Sequence, residues 1–361
     1  MTYIAKHFRF IFFIIGGLFL FACSEQDNEN YRIVSFSKDD LAPPVYLNAT
    51  RYNFDQILQP RRLMSVGNRL VVTDKNPSAF IHVLAPLEQK YIVTLGKQGE
   101  GPGEIGAGGF LLRGVEPGTF WSHFANTKTL SMFSVNDTSR LAVRQVKQDE
   151  NLLITTFVAW SSDTSLMAIR ANFTEKFVEY GVKGNILRTY GEWSGMMEND
   201  EELPMNVIIS LHQGKLMSSP DRRYFGFACI HRDLIETLDV TTGKITSIRG
   251  PVDEINSFDV DHGAGYPMLS LKGVVKHYYL DAYLGQETIY ALYSGEEFVG
   301  QGTSTVFTFT YTGEMIQQYK LDTSISAMTV DEESGILYGI SKDENPDIVS
   351  FRLKQLSKVS E

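Results

Sequence analysis

The sequence predicts an all-β protein, a six-bladed β-propeller built from four-stranded antiparallel blades. Three observations predict it. Short runs rich in Val, Ile, Phe, Tyr and Thr alternate with turn residues, and no long amphipathic helix interrupts them. A hairpin of two such runs around a polar turn recurs along the chain. Its recurrence falls near the spacing of a propeller blade, roughly 40–50 residues, once loop insertions are allowed.

Length and composition set the outer bounds. A chain of 361 residues holds two ordinary domains or one large all-β domain, and 43% hydrophobic residues suffice for a sizeable core. The net charge of −10, from 33 Lys+Arg against 43 Asp+Glu, repels phosphate backbones, so no nucleic-acid partner is expected. Two cysteines exclude a disulfide-dense scaffold and a four-cysteine zinc site.

The first element is an address. Residues 1–22, MTYIAKHFRFIFFIIGGLFLFA, carry Lys6 and Arg9 and then an apolar run over 10–22. That run is shorter than the ~20 residues of a membrane span but suits a signal peptide. It ends in Leu20-Phe21-Ala22-Cys23, which resembles the bacterial lipobox, with Phe21 bulky for its slot. The resemblance implies cleavage before Cys23 and acylation of that residue, a lipid anchor of several chains. Ser24 stands where an inner-membrane retention signal has Asp, which favours the outer membrane of a Gram-negative bacterium, facing the periplasm or the surface. Residues 24–30, SEQDNEN, form an acidic tether. The organisation expected is a leader at 1–22, a lipidated cysteine and tether at 23–42, and a single propeller domain at 43–361.

Within 23–42, residues 31–36 (YRIVSF) are the early strand-like run before Pro43-Pro44. Propellers commonly close by pairing strands from the two termini, so this run is expected to dock on the last blade near 348–353, hiding two open edges.

The recurring hairpins are 81–95, 130–146, 177–190, 234–248 and 306–321, with a sixth beginning at 349–356. Their turns lie near Leu87, Thr138, Gly184, Gly243 and Gly313, at spacings of 51, 46, 59 and 70 residues. Glycine at the last three supplies the positive φ of a tight turn. Another strand pair precedes each hairpin, as in 63–74 with its Gly67-Asn68 turn, which makes four strands per unit. Six units from Pro43 onward average about 53 residues and seven about 46, so a seventh blade stays open.

Gly96-Lys97-Gln98-Gly99-Glu100-Gly101-Pro102-Gly103-Glu104 follows a strand that closes a unit. This segment resembles the G-x-x-G-x-G-P-G-E turn of six-bladed NHL-type and TolB-like propellers. With the lipobox, the whole chain resembles the TolB-like propeller lipoproteins of Gram-negative bacteria. The resemblance implies the fold and a structural turn at Gly96, Gly99, Gly101, Pro102, Gly103 and Glu104, and little about chemistry.

Motifs for chemistry are few. Residues 101–106 match G-x-G-x-x-G, but Pro102, Glu104 and the glycines at 108–109 make a poor helix start, and Glu104 would repel a phosphate. The histidines His82, His123, His212, His231, His262 and His277 show no H-x-H or H-x-x-x-H pairing, so no metal and no cofactor are expected. Asp259-Val260-Asp261-His262 opens like a calcium loop, yet Gly263 stands at the fifth, ligand position, Ala264 at the sixth, where the loop needs Gly, and no Glu closes it. Cys229 lies in the apolar stretch 224–230 and reads as a core thiol. The tyrosines between 278 and 293 read mainly as core.

The function expected is a non-enzymatic, membrane-anchored binding or protein-interaction module of the cell envelope, whose partner is an unidentified envelope protein, peptide or glycan. The rival is a propeller hydrolase or lyase acting on glycan, lactone or peptide, with Asp259, Asp261 and His262 as funnel candidates and no catalytic residue identified.

Overall fold

The computed structural model describes residues 25–27 and 30–353, apart from 77, 107–108, 125–126, 153–154, 171–172, 194, 198–201 and 298–302. The leader and Cys23 lie outside the described residues.

An N-terminal arm comes first, formed by β1 (Glu25–Asp27), β2 (Tyr31–Ser35), β3 (Val45–Leu47) and β4 (Ala49–Tyr52). Four-stranded antiparallel blades follow. Blade 1 is β5 (Pro60–Val66), β6 (Arg69–Asp74), β7 (Ile81–Ala85) and β8 (Lys90–Leu95). Blade 2 is β9 (Phe110–Arg113), β10 (Thr119–Phe124), β11 (Thr129–Ser134) and β12 (Arg144–Lys147). Blade 3 is β13 (Thr155–Trp160), β14 (Ser165–Arg170), β15 (Glu175–Gly181) and β16 (Ile186–Glu192). The helix α1 (Met205–Leu211) leads into blade 4, made of β17 (Met217–Ser218), β18 (Tyr224–Ala228), β19 (Leu234–Asp239) and β20 (Ile245–Arg249). A separate hairpin, β21 (Phe258–Asp261) and β22 (Met268–Leu271), precedes blade 5.

Blade 5 is β23 (Lys276–Leu284), β24 (Thr288–Glu297), β25 (Thr303–Thr310) and the first part of β26 (Met315–Asp331). From Ile325 onward β26 pairs with β27 (Ile336–Ser341), so one long strand ends blade 5 and begins blade 6. Blade 6 continues through β28 (Ile348–Arg352) and finishes with β4 from the other end of the chain, Ile348 facing Tyr52 and Phe351 facing Ala49. Among the described residues the count is therefore six blades. The innermost strands form a closed ring, each packing on the next from β5 through β9, β13, β17, β23 and β26 back to β5.

The hydrophobic core repeats this ring. Six buried clusters occur among the described residues, each between two neighbouring blades. Strand alternation explains how one strand serves two of them. In β6, Leu70 and Val72 pack with blade 6 against Ile336 and Ile340, while Val71 between them packs with blade 2 against Phe120 and Phe133. Trp121 and Trp160 meet between blades 2 and 3 with ring centroids 4.6 Å apart. Both faces of the middle strands are buried, so the strands read as apolar runs rather than alternating ones.

The strand expected at 31–36 forms, but it docks elsewhere. β2 lies parallel to β20 on blade 4, Tyr31 beside Ile245 and Ser35 beside Arg249, whereas β4 takes the place on blade 6. The reason is chain economy: β4 ends eight residues before β5 begins, so the closing strand passes directly into the first blade. Pro43-Pro44 ends one stretch of the arm, and β3 then runs parallel to β26 on blade 5, Tyr319 beside Val45. The arm thus covers the outer edges of blades 4, 5 and 6 in turn, removing open ladder groups that would invite edge pairing.

The glycine-rich segment joins β8 to β9. The Glu104 carboxylate accepts from the Gly101 N–H at 2.9 Å and pairs with the Lys97 Nζ at 2.6 Å. A Cβ on Gly99, whose φ is +154°, would sit on the Glu104 carboxylate, and Gly96, at φ +77°, lies against Ile105. The segment is a folded inter-blade turn, with Glu104 turned inward on its own loop.

Candidate functional site: the mouth of the central channel

The six innermost strands enclose a channel, and its two ends differ. Through the middle it is lined by Leu63, Leu111, Leu112, Leu216, Leu284 and Met328 and narrows to a cavity of about 50 Å³, room for a few water molecules. Toward the N-terminal ends of the same strands it widens into a cup of about 280 Å³. All six blades contribute to the cup wall: Arg61 and Arg62, Phe110, Phe157, Met217, Tyr279 to Ala282, and Ser326 with Ala327. The loops joining each outermost strand to the next innermost strand return to this end, because strand direction alternates across a four-stranded blade. α1 and the β21–β22 hairpin belong to two of these connections.

The cup holds charge. Arg61, Arg62 and Lys215 line it with one carboxylate, Asp281, in a chain whose net charge is −10. Asp281 is fully engaged. Its Oδ1 lies 3.2 Å from the Lys215 Nζ and accepts the Ala282 N–H, and its Oδ2 accepts the Met328 N–H at 3.0 Å. Arg62 sits over the Phe110 ring, its guanidinium carbon 3.8 Å from the centroid, a cation–π contact. Phe110 in turn meets Phe157 edge to face at 5.3 Å. Burial holds the Arg62 guanidinium below its ordinary pKa; the Asp281 charge opposes that and the neighbouring Arg61 adds to it. Arginine stays protonated all the same. The arrangement is a concave seat with an aromatic wall, an apolar floor and an excess of positive charge, the usual composition of a small-ligand site.

At the far end of the channel Arg113 lies over Tyr283, 5.2 Å from its ring. Beyond it the Glu332 carboxylate accepts the Gln286 N–H at 2.7 Å, and burial pushes its pKa up.

The funnel candidates read from the sequence lie elsewhere. Asp259, Asp261 and His262 are exposed on the β21–β22 hairpin and do not line the cup. Asp259 pairs with Lys272 and Asp261 accepts the Gly263 N–H, while the hairpin leans on α1 through Asn206 and the Pro267 carbonyl. Among the described residues no three His, Cys, Asp or Glu side chains gather around a metal position. Cys229 is fully buried and burial raises its thiol pKa well above the ordinary value. Tyr278 and Tyr293 are core, Tyr279 is buried at the cup wall, and Tyr283 is channel wall.

The cup residues escaped the sequence reading because each comes from a different blade. The sequence carries no local signal for them, because Arg61-Arg62 at the head of a strand is an ordinary place for charge.

The family model described as TolB-like 6-blade propeller-like matches residues 35–333. The chain belongs to this TolB-like family. The six blades counted above agree with that family's fold. Among solved structures, this TolB-like chain is similar to a Bacteroides fragilis NCTC 9343 protein described as exported, at 12% identity and TM-score 0.55, covering 90% of this chain and 100% of that one. It is also similar to the RRP9 WD40 repeats, at 10% identity and TM-score 0.49 over 88% of this chain and 98% of that one. These identities speak to fold alone. No curated protein sequence matches the chain.

Proposed function

We propose that this TolB-like propeller is a non-enzymatic binding module of the Gram-negative cell envelope, anchored through Cys23, with the mouth of its central channel as the ligand seat. The observation that carries the reading is the cup itself: six blades converge on one concave, charged and aromatic site, while loops and an added hairpin surround its rim. A rigid ring with variable loops suits recognition. The envelope address rests on the basic and apolar leader and on the lipobox-like run before Cys23. A TolB-like fold and an exported structural neighbour agree with that address. The enzymatic rival would draw on Asp259, Asp261 and His262, and their exposed hairpin is a poor place to exclude water from a reaction.

The test fills the cup. Gln213 lines its rim and is exposed, so Gln213→Trp leaves the blades intact while occupying the mouth. Fractionated envelope extract is screened for components that raise the melting temperature of the wild-type protein. The reading expects that such components fail to stabilise Gln213→Trp. Equal stabilisation of both proteins places the ligand seat elsewhere.

A further inference from the structure

We infer that the channel mouth seats a carboxylate, with the Arg62 guanidinium as its docking group and the Phe110–Phe157 pair as the wall for an apolar group next to it. The inference rests on the reading of the mouth as the ligand seat and adds the class of ligand.

The argument begins from an unmatched charge. The chain carries 43 Asp and Glu residues against 33 Lys and Arg, so a carboxylate partner for a half-buried arginine is easy to supply. Arg62 has none. Among the described residues its guanidinium makes no hydrogen bond and no ion pair; it lies over the face of Phe110 and feels the Asp281 charge from beyond ion-pair distance. The nearest carboxylate, Asp281, is consumed by Lys215 and by two backbone N–H groups. The hydrogen-bonding positions of Asp281 are therefore taken, and the Arg62 guanidinium lines the cup with its donors unmatched. Removing an arginine from water without a partner is costly, and such a group persists where something else completes it.

The geometry selects the ligand. A guanidinium offers two parallel N–H donors that match the two oxygens of a carboxylate. Stacking on Phe110 fixes the plane of that fork and lowers the entropy lost on binding. The charge balance of the cup suits a monoanion. Lys215 and Asp281 cancel, which leaves two charges, Arg62 in the cup and Arg61 at the rim; Arg61 is exposed and screened by water, so one shielded charge remains for the ligand. A phosphate dianion would need more donors than this and would lie against the Asp281 carboxylate. Beside the fork, Phe110 and Phe157 meet at right angles and leave aromatic surface toward the cup, so an apolar or aromatic group attached to the carboxylate is accommodated. Two sources share this chemistry, a peptide ending in a free carboxyl group and a small organic acid.

The experiment uses the soluble protein beginning at residue 24 and calorimetric titration with four probes: N-acetylphenylalanine, its carboxamide, benzoate and inorganic phosphate. The acid and the amide differ only in the charged group. The inference expects one N-acetylphenylalanine per protein, with affinity lowered roughly tenfold or more for the amide and for the Arg62→Met variant, the scale of one charge-assisted hydrogen-bonded pair. Binding should also weaken as salt rises. Tighter binding of N-acetylphenylalanine than of benzoate indicates a peptide end, and the reverse a small organic acid. Acid and amide binding equally, both lost in Gln213→Trp, would overturn the carboxylate while leaving the mouth as the seat. Phosphate binding more tightly than either carboxylate, or no carboxylate binding at millimolar concentration, also overturns it. Arg62→Met is checked by its melting curve, and Arg62→Lys, which keeps the charge but not the fork, should recover only part of the affinity.

Discussion

Lys176 of blade 3 and Glu236 of blade 4 form an ion pair sealed between the two blades, with Nζ 2.8 Å from Oε2 and both side chains excluded from solvent. The Ser247 hydroxyl donates to the same carboxylate at 2.6 Å, and the Lys176 ammonium also faces the Trp193 ring at 5.3 Å. Neither charge has water to fall back on, so each depends on the other. Lys176→Met alone, or Glu236→Leu alone, strands one charge in an apolar interface and should cost about 3–5 kcal/mol. The double replacement should be far less harmful than the sum of the two. Chemical denaturation of the four proteins of this cycle checks it. Additive losses would show that the charges do not interact.

The pH dependence of stability should carry two opposed contributions. Burial pushes the Asp233 carboxyl up to about 7, against the lowering influence of the Val252 N–H that it accepts. The folded state therefore holds a proton that the unfolded chain has released, and stability falls as pH rises from about 4 to about 7. His212 behaves oppositely. Burial first, and the Arg232 charge next, hold its imidazole down to about 3, so stability rises with pH between about 3 and 6.5. Asp233→Asn removes the first contribution. Its stability should match wild type near pH 3, where the carboxyl is protonated in the folded and unfolded states alike, and exceed it near pH 8 by on the order of 2–4 kcal/mol. Denaturant midpoints at the two pH values decide the matter. An unchanged difference between them would show that Asp233 titrates normally.

The N-terminal arm should contribute in stages. Phe36 wedges between blades 4 and 5, against Phe307 at 5.9 Å and Phe309 at 5.4 Å, and is buried. Phe36→Ala should cost about 3–5 kcal/mol. Deleting residues up to 36 bares the β20 edge yet leaves the ring shut, so a weakened cooperative fold should remain. Extending the deletion through Tyr52 removes the last strand of blade 6 and should abolish the single cooperative transition, read by circular dichroism on heating. A truncation through 52 that melts like the shorter one would refute closure by β4.

The anchor is tested separately. Cys23→Ser should abolish metabolic labelling with a fatty acid and shift the protein from the membrane fraction to the soluble one. Labelling that survives the substitution would remove the lipoprotein reading without touching the propeller.

The sequence by itself determined the repeating unit. Alternation of apolar strands with turn residues, and glycines where a turn needs positive φ, are local requirements, and so the five outer hairpins were legible with their turns in place. Gly184, Gly243 and Gly313 each sit at the turn of a hairpin at positive φ. The buried state of Cys229 was legible for the same reason, from its apolar neighbours. Only the tertiary structure decided which strand closes the ring and where the cup lies. Residues 31–36 and 49–52 are both short strands with an edge to cover, and the choice between blade 4 and blade 6 depends on distances between blades far apart in sequence. The same holds for Arg62, Phe110, Phe157 and Asp281. Each is an ordinary residue in its own strand, and they become a site only because a closed ring points the heads of all six inner strands at one axis.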